Sequence, residues 1–253
     1  MGTFEDLVSS AWCGPFHGWD FSCISGRYEE GQTRWDYRRL VLERLRKAKA
    51  ILDLGTGGGE FLSSLGPMPA AACATEGYHP NAGLALANLR PRGVGVVETR
   101  TDDNGTIPQR GALPFRDLAF DLVFDRHEVC VPSEVRRVLK AEGVFVTQQV
   151  GDGNNVELRR LFGSPAGGHW NLARAAEELE AAGLRVLEKG ESSAKSRFVD
   201  VGALVYYLKA VTLEVPGFSV ARFENELRRA HETTTDRGHF EVTTERFYVV
   251  ASR

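Results

Sequence analysis

The chain has 253 residues, 42% of them hydrophobic and 26% charged, with a formal net charge of −3. That length supports one large domain or two small ones with a full core, and the composition shows no biased tract. A pI of about 6.1 lacks the basic footprint of a nucleic-acid-binding surface, so no nucleic-acid partner is expected. Cys13, Cys23, Cys73 and Cys130 are far apart and form no Cys-x-x-Cys pair, which argues for free thiols and against a disulfide framework or a metal site. The start MGTFEDL is acidic where a signal peptide is basic, and position 6 is Asp where a myristoylation signal has Ser or Thr. No apolar run approaches membrane-spanning length. The expectation is a cytoplasmic protein with no membrane partner.

In chain order, residues 1–49 come first and are unusual. Trp12, Phe16, Trp19, Phe21, Tyr28, Trp35 and Tyr37 lie close together, interleaved with Gly14, Gly18, Gly26 and Gly31. A hydrophobic flap over a site explains this pattern, because a pocket that excludes water is lined by apolar and aromatic groups. Plain packing of the segment onto its domain explains it equally well.

From Ala50 to Val150, short apolar runs alternate with helical patterns. AILDL (50–54), AACATE (71–76), VGVVETR (94–100), FDLVFD (120–125) and GVFVTQQV (143–150) read as strands. Several are apolar almost throughout, as strands buried on both faces are. EFLSSL, HPNAGLALANLR and PSEVRRVLKAE read as the helices between them. This alternation predicts βαβ units and a doubly wound, mostly parallel sheet. Beyond Val150 come helix 171–183, strand 184–190, helical stretches 201–211 and 218–234, and a last strand 240–252. No linker or repeat interrupts the chain, and a single domain over 1–253 is expected, with a helical insert at 197–235.

The most informative stretch is Asp53-Leu-Gly-Thr-Gly-Gly-Gly-Glu60, between strand AILDL and helix EFLSSL. Such a turn lies at the carboxyl edge of the sheet, where ligands bind. It has no lysine for a Walker phosphate loop. Gly55 and Gly57 fit the start of a dinucleotide fingerprint, but position 60 is Glu, and a carboxylate in the first helical turn repels a pyrophosphate. A nucleoside bearing cations instead of phosphates fits better. S-adenosylmethionine, with its sulfonium and ammonium, is attracted by carboxylates, while the glycines let the backbone come close. Glu76, at the end of the second strand, is placed to accept hydrogen bonds from both ribose hydroxyls.

DLGTGGGE, ATEGYHPN, LPFRDLAFDLVFDRHE and EVRRVLKAEGVFVTQQVG together resemble the consecutive motifs of class I S-adenosylmethionine-dependent methyltransferases. The likeness is greatest to the bacterial small-molecule group often called type 11, over roughly residues 50–150. It implies a Rossmann-like seven-stranded sheet whose antiparallel last strand, FEVTTERFYVVAS, inserts beside its neighbour. It implies a cofactor site at Asp53, Gly55, Thr56, Gly57, Glu76, Gly77, Leu113, Asp125 and Arg126. In that family the chain just before Leu113 contacts the adenine; Gln109 falls near the place of the usual acidic residue, with Asp102 and Asp103 upstream.

Methyl transfer from a sulfonium is an in-line displacement, accelerated mainly by holding the acceptor close and aligned in a dry site. His127, at the carboxyl end of strand FDLVFD, is the candidate general base, or a group that positions substrate. Arg126 is expected either to pair with Glu128 or Asp125 or to meet the cofactor carboxylate. Trp19, Trp35, Tyr37, His127, Gln148, Arg197 and Tyr206 are the candidate acceptor contacts. The expected function is methylation of O, N or C of a small molecule, in a chain that could form a homodimer. The alternatives are an RNA-base methyltransferase and a noncatalytic S-adenosylmethionine-binding protein.

Overall fold

A computed structural model describes residues 2–14, 21–99, 112–165 and 168–253. In chain order these form α1 (Phe4–Cys13), β1 (Tyr28–Glu29), α2 (Tyr37–Leu45), β2 (Ala50–Leu54), α3 (Glu60–Ser64), β3 (Ala71–Glu76), α4 (His79–Leu89) and β4 (Val94–Glu98). There follow β5 (Phe120–Arg126), α5 (Pro132–Val138), β6 (Leu139–Val150), α6 (Val156–Phe162), α7 (Leu172–Ala181), β7 (Arg185–Phe198), α8 (Val201–Ala210), α9 (Glu224–Arg237) and β8 (Phe240–Ser252). The sheet has eight strands in the order β1-β7-β8-β6-β5-β2-β3-β4. Seven were expected; the eighth is the two-residue edge strand β1, antiparallel to β7. Pairs β2–β3, β3–β4, β2–β5 and β5–β6 are parallel. As expected, the last strand lies between two others.

The chain divides into two compact units. One comprises 1–34, 151–169 and 192–246; the other comprises 35–150, 170–191 and 247–253. The expected division at residue 49 is therefore displaced, and 35–49 belong with the strands that follow. In the first unit Phe4, Val8 and Ile24 are buried in one cluster with Phe198, Leu204, Leu208 and Leu227, so its amino-terminal residues are part of its own core. Helix α8 is buried along eight of its ten residues, as an all-round apolar helix must be. Thr3 and Asp6 close α1 with a capping box, a reciprocal pairing that TFED already encodes.

Two boundaries differ from the sequence pattern. The segment LKAE, expected to finish α5, begins β6 instead, with Leu139 paired to Phe120 and fully buried. Helix propensity is worth only tenths of a kcal/mol per residue, and burial of a leucine outweighs it. The register then slips between Phe120 and Leu122. At Gly143 a Cβ would stand 2.9 Å from Leu139 Cδ2 and from the Lys140 carbonyl, the close approach typical of a glycine at a bulge. Strand β7 also runs eight residues beyond 190. Its inward positions there include Ser192 and Ser196, whose polar character hides the period-2 pattern. Arg197 consequently lies on β7, paired in register with Glu29, and not in a helical insert.

Candidate active site

All of this site is built within the second unit. Strand β2 continues on one side to β3, while β5 lies on its other side. The carboxyl ends of β2 and β5 therefore flank the topological switch point where open α/β sheets bind ligands. Asp53 pairs in register with Phe124, and Leu54 with Asp125, which brings the glycine loop beside Arg126, His127 and Glu128.

The loop is held by the next strand. Thr56 N–H donates to the Thr75 carbonyl at 2.9 Å, and Gly57 N–H to Glu76 Oε2 at 2.6 Å. Glu76 Oε1 accepts from Tyr78 N–H at 2.8 Å. The carboxylate expected for ribose thus also ties the loop to β3, with lone pairs to spare. Gly55 and Gly57 have φ of +63, a left-handed backbone that β-carbons disfavour. At Gly55 there is a second requirement: a Cβ would lie 2.2 Å from Glu128 Oε2.

Electrostatically the site is one-sided. Asp53, Glu76, Asp125 and Glu128 converge on it, and among the described residues no Lys or Arg pairs with any of them. Burial pushes Asp53 up to about 7, helped by Glu76 and Glu128 and opposed by Thr56. Glu128 is likewise raised to about 7 by burial and then by Glu76. Burial holds Asp125 well above the carboxylate range, although Oδ1 accepts from Thr147 at 2.6 Å and Gln149 at 2.8 Å. Asp53 Oδ2 and Thr56 Oγ1, which neighbour each other, and Asp125 Oδ2, which neighbours Cys130, are buried without a hydrogen bond of full geometry. Unpaired buried acceptors are costly. A ligand that carries cations and hydroxyls satisfies what the protein leaves open, and a pyrophosphate does not.

The comparisons with known proteins agree. No protein-family model matches the chain. The malonyl-[acyl-carrier protein] O-methyltransferase of Marinomonas sp. (strain MWYL1) is 27% identical over 198 residues, 70% of each chain. Among solved structures, a candidate methyltransferase from Bacillus halodurans C-125 matches with a TM-score of 0.61 at 16% identity, over 86% of this chain and 98% of that one. The [4+2]-cyclase SpnF matches at 0.54 and 19%, over 98% and 94%. At such identities the structures speak for the fold, which by itself hosts more than one chemistry; the curated relative and the motifs speak for the reaction. In sequence and in fold the chain is similar to class I S-adenosylmethionine-dependent methyltransferases.

The remaining predicted residues fall in several places. Arg126 is exposed, its guanidinium carbon 5.8 Å from the Phe61 ring centre; neither Glu128 nor Asp125 pairs with it. His127 is exposed, with a left-handed φ of +65, and its N–H donates to the Gln148 carbonyl at 2.8 Å. Gln148 is buried and accepts from Trp35 Nε1 at 2.9 Å. Gly77 follows Glu76, and its backbone N–H also serves that carboxylate. Leu113 is tied to α5, its N–H donating to Glu134 Oε2 at 2.7 Å. Tyr206 and Arg197 belong to the first unit, Tyr206 buried in that unit's core and Arg197 exposed, 3.7 Å from Glu241. Trp19, Asp102, Asp103 and Gln109 lie outside the described residues.

Tyr37 is buried, and its hydroxyl donates to the Asp125 carbonyl, with the Val146 carbonyl 3.4 Å away. The hydroxyl is thus committed to the backbone of β5 and β6. Tyr37→Phe is expected to cost about 1–3 kcal/mol, the penalty for leaving a buried carbonyl short of its donor, read by urea unfolding; an unchanged midpoint would show the bond to be idle.

Sequence reasoning missed Glu128, Thr147 and Gln149 as members of this site. The signal was present. Thr147, Gln148 and Gln149 interrupt an apolar strand near its carboxyl end, and buried polar residues there need partners.

The described residues hold no cluster of ligating side chains suited to a metal ion. No helix among them is long and apolar enough to cross a membrane.

Proposed function

We propose that this protein transfers the methyl group of S-adenosylmethionine to a small molecule, with the cofactor held by Asp53, Gly55, Thr56, Gly57, Glu76 and Gly77 and faced by Asp125 and Glu128. The observation that carries this reading is the set of buried carboxylates, without basic partners, around a left-handed glycine loop. Bound S-adenosylmethionine supplies an activated methyl on a cationic sulfur. The protein's own residues then bind, orient and exclude water. Glu76 would accept hydrogen bonds from the ribose hydroxyls, Asp53 and Glu128 would face the cofactor's positive charge, and His127 and Gln148 would stand on the acceptor side with Trp35 as a wall. The activity of the Marinomonas relative, O-methylation of malonyl-[acyl-carrier protein], favours oxygen among the three acceptor atoms. A carboxylate acceptor is already anionic and loses no proton during transfer.

Calorimetry with S-adenosylhomocysteine and with a nicotinamide dinucleotide tests the cofactor assignment. Heat from the first and none from the second is expected; the reverse would sink the reading.

The pH dependence carries a sign. Asp53 and Glu128 are raised to about 7 in the free protein, and a bound cation favours their charged forms. Affinity for S-adenosylmethionine therefore rises with pH and levels off above 7. Between pH 6 and 8 the gain is roughly tenfold per titrating group. S-adenosylhomocysteine, which lacks the sulfonium, should show a weaker slope. Equal slopes for the two ligands would mean that these carboxylates do not face the sulfur.

A further inference from the structure

We infer that Gln148, oriented by Trp35, fixes the neutral imidazole of His127 with its proton on Nδ1, making His127 a hydrogen-bond donor to the acceptor and not its general base. An indole N–H is only a donor, so the Gln148 atom 2.9 Å from Trp35 Nε1 is the amide oxygen. The donor-only indole thus fixes which way the amide points. Gln148 is only 5% exposed, so a flipped amide would set N–H against N–H with little water to relieve it.

With Oε1 committed to Trp35, the amide nitrogen faces His127, and Gln148 Nε2 lies 3.2 Å from His127 Nε2. An amide NH₂ can only donate. His127 Nε2 must therefore accept, and the ring proton of the neutral form resides on Nδ1. A base needs a lone pair aimed at the acceptor, and here the lone pair of Nε2 is spent on Gln148.

The backbone supports the arrangement. His127 adopts φ +65, and its N–H is anchored to the Gln148 carbonyl at 2.8 Å. A non-glycine residue in this region is uncommon, and such strain concentrates at functional sites. The same glutamine thus sets both the position and the proton of His127. Trp35 and Gln148 are positioning residues.

The consequence for transfer rests on the proposed function; the tautomer itself does not. A donor orients an acceptor that already carries its electron pair, such as a carboxylate. It offers no help to an acceptor that must be deprotonated.

The experiment is two-bond proton–nitrogen correlation on the ¹⁵N-labelled full chain, with the His127 signals assigned by their loss in His127→Phe. The expected pattern is the Nδ1–H tautomer. In Gln148→Glu the facing atom becomes an acceptor, so the proton should move and the Nε2–H tautomer or the imidazolium should replace it. In Trp35→Phe the amide is released to flip, and a mixture of tautomers should appear. S-adenosylhomocysteine affinity verifies that each variant is folded. An Nε2–H pattern in the unsubstituted chain overturns the inference, as does an unshifted Nδ1–H pattern in both variants. Failure of the unsubstituted chain to bind S-adenosylhomocysteine would instead sink the proposed function and leave the tautomer result standing.

Discussion

Gly55→Ala is expected to lower affinity for S-adenosylhomocysteine on the order of 100-fold or more while leaving the circular dichroism unchanged. Two costs combine. An L side chain at φ +63 carries about 1–2 kcal/mol of left-handed strain. The new methyl would also stand 2.2 Å from Glu128 Oε2 and 2.5 Å from its Cγ, so the whole Glu128 side chain must leave. In the free protein the loop relaxes to escape both, and the cofactor must then restore it. Displacing a carboxylate that faces the ligand adds about 1.5–3 kcal/mol. Gly83 provides the control, since it lies in α4 with nothing within 4 Å of a built Cβ. Gly83→Ala should leave affinity unchanged and stabilise the chain by about 0.5–1 kcal/mol. Equal affinities in the two variants would mean that the glycine loop does not hold the cofactor.

Asp53→Asn should act in opposite directions on stability and on binding. Asp53 is raised from 3.8 to about 7 in the folded chain. The unfolded chain therefore ionises it first, and folding stability is lost as pH rises from about 4 to 7, remaining low above. At 1.36 kcal/mol per unit the full penalty is about 4 kcal/mol. Asparagine removes the charge but still buries an amide, so about half of this, ~2 kcal/mol, is expected as a gain at pH 8. Below pH 4, where Asp53 is neutral in both states and only the amide's burial cost remains, the gain should turn into a loss of about 2 kcal/mol. The same variant should bind S-adenosylmethionine about ten- to a hundredfold more weakly, because a neutral amide does not attract a cation. A variant that is destabilised at pH 8 would show that Asp53 has a compensating partner within the protein.

Much of this molecule was legible from the chain. AILDL, AACATE and FEVTTERFYVVAS mark β2, β3 and β8 to the residue, because apolar runs bounded by glycine, proline or charge allow few other conformations. The glycine loop and its acids were legible for a different reason: only glycine tolerates the left-handed turns, and acids in an apolar context have few structural uses. The start of β6 at Leu139 and the extension of β7 through Ser192 and Ser196 were not legible, since strand pairing and burial overrode local preference. The sequence by itself determined the doubly wound architecture, the glycine loop and the class of chemistry, all encoded within short stretches. Tertiary structure alone decided that Glu128 presses on Gly55 and that residues 35–49 join the second unit. It alone brought Trp35 to Gln148, 113 positions away, and Gln148 to His127, the contacts from which the Nδ1 proton of His127 is inferred. Periodicity and motif carry no record of which distant side chains meet, and a proton's place on an imidazole is set by what it meets.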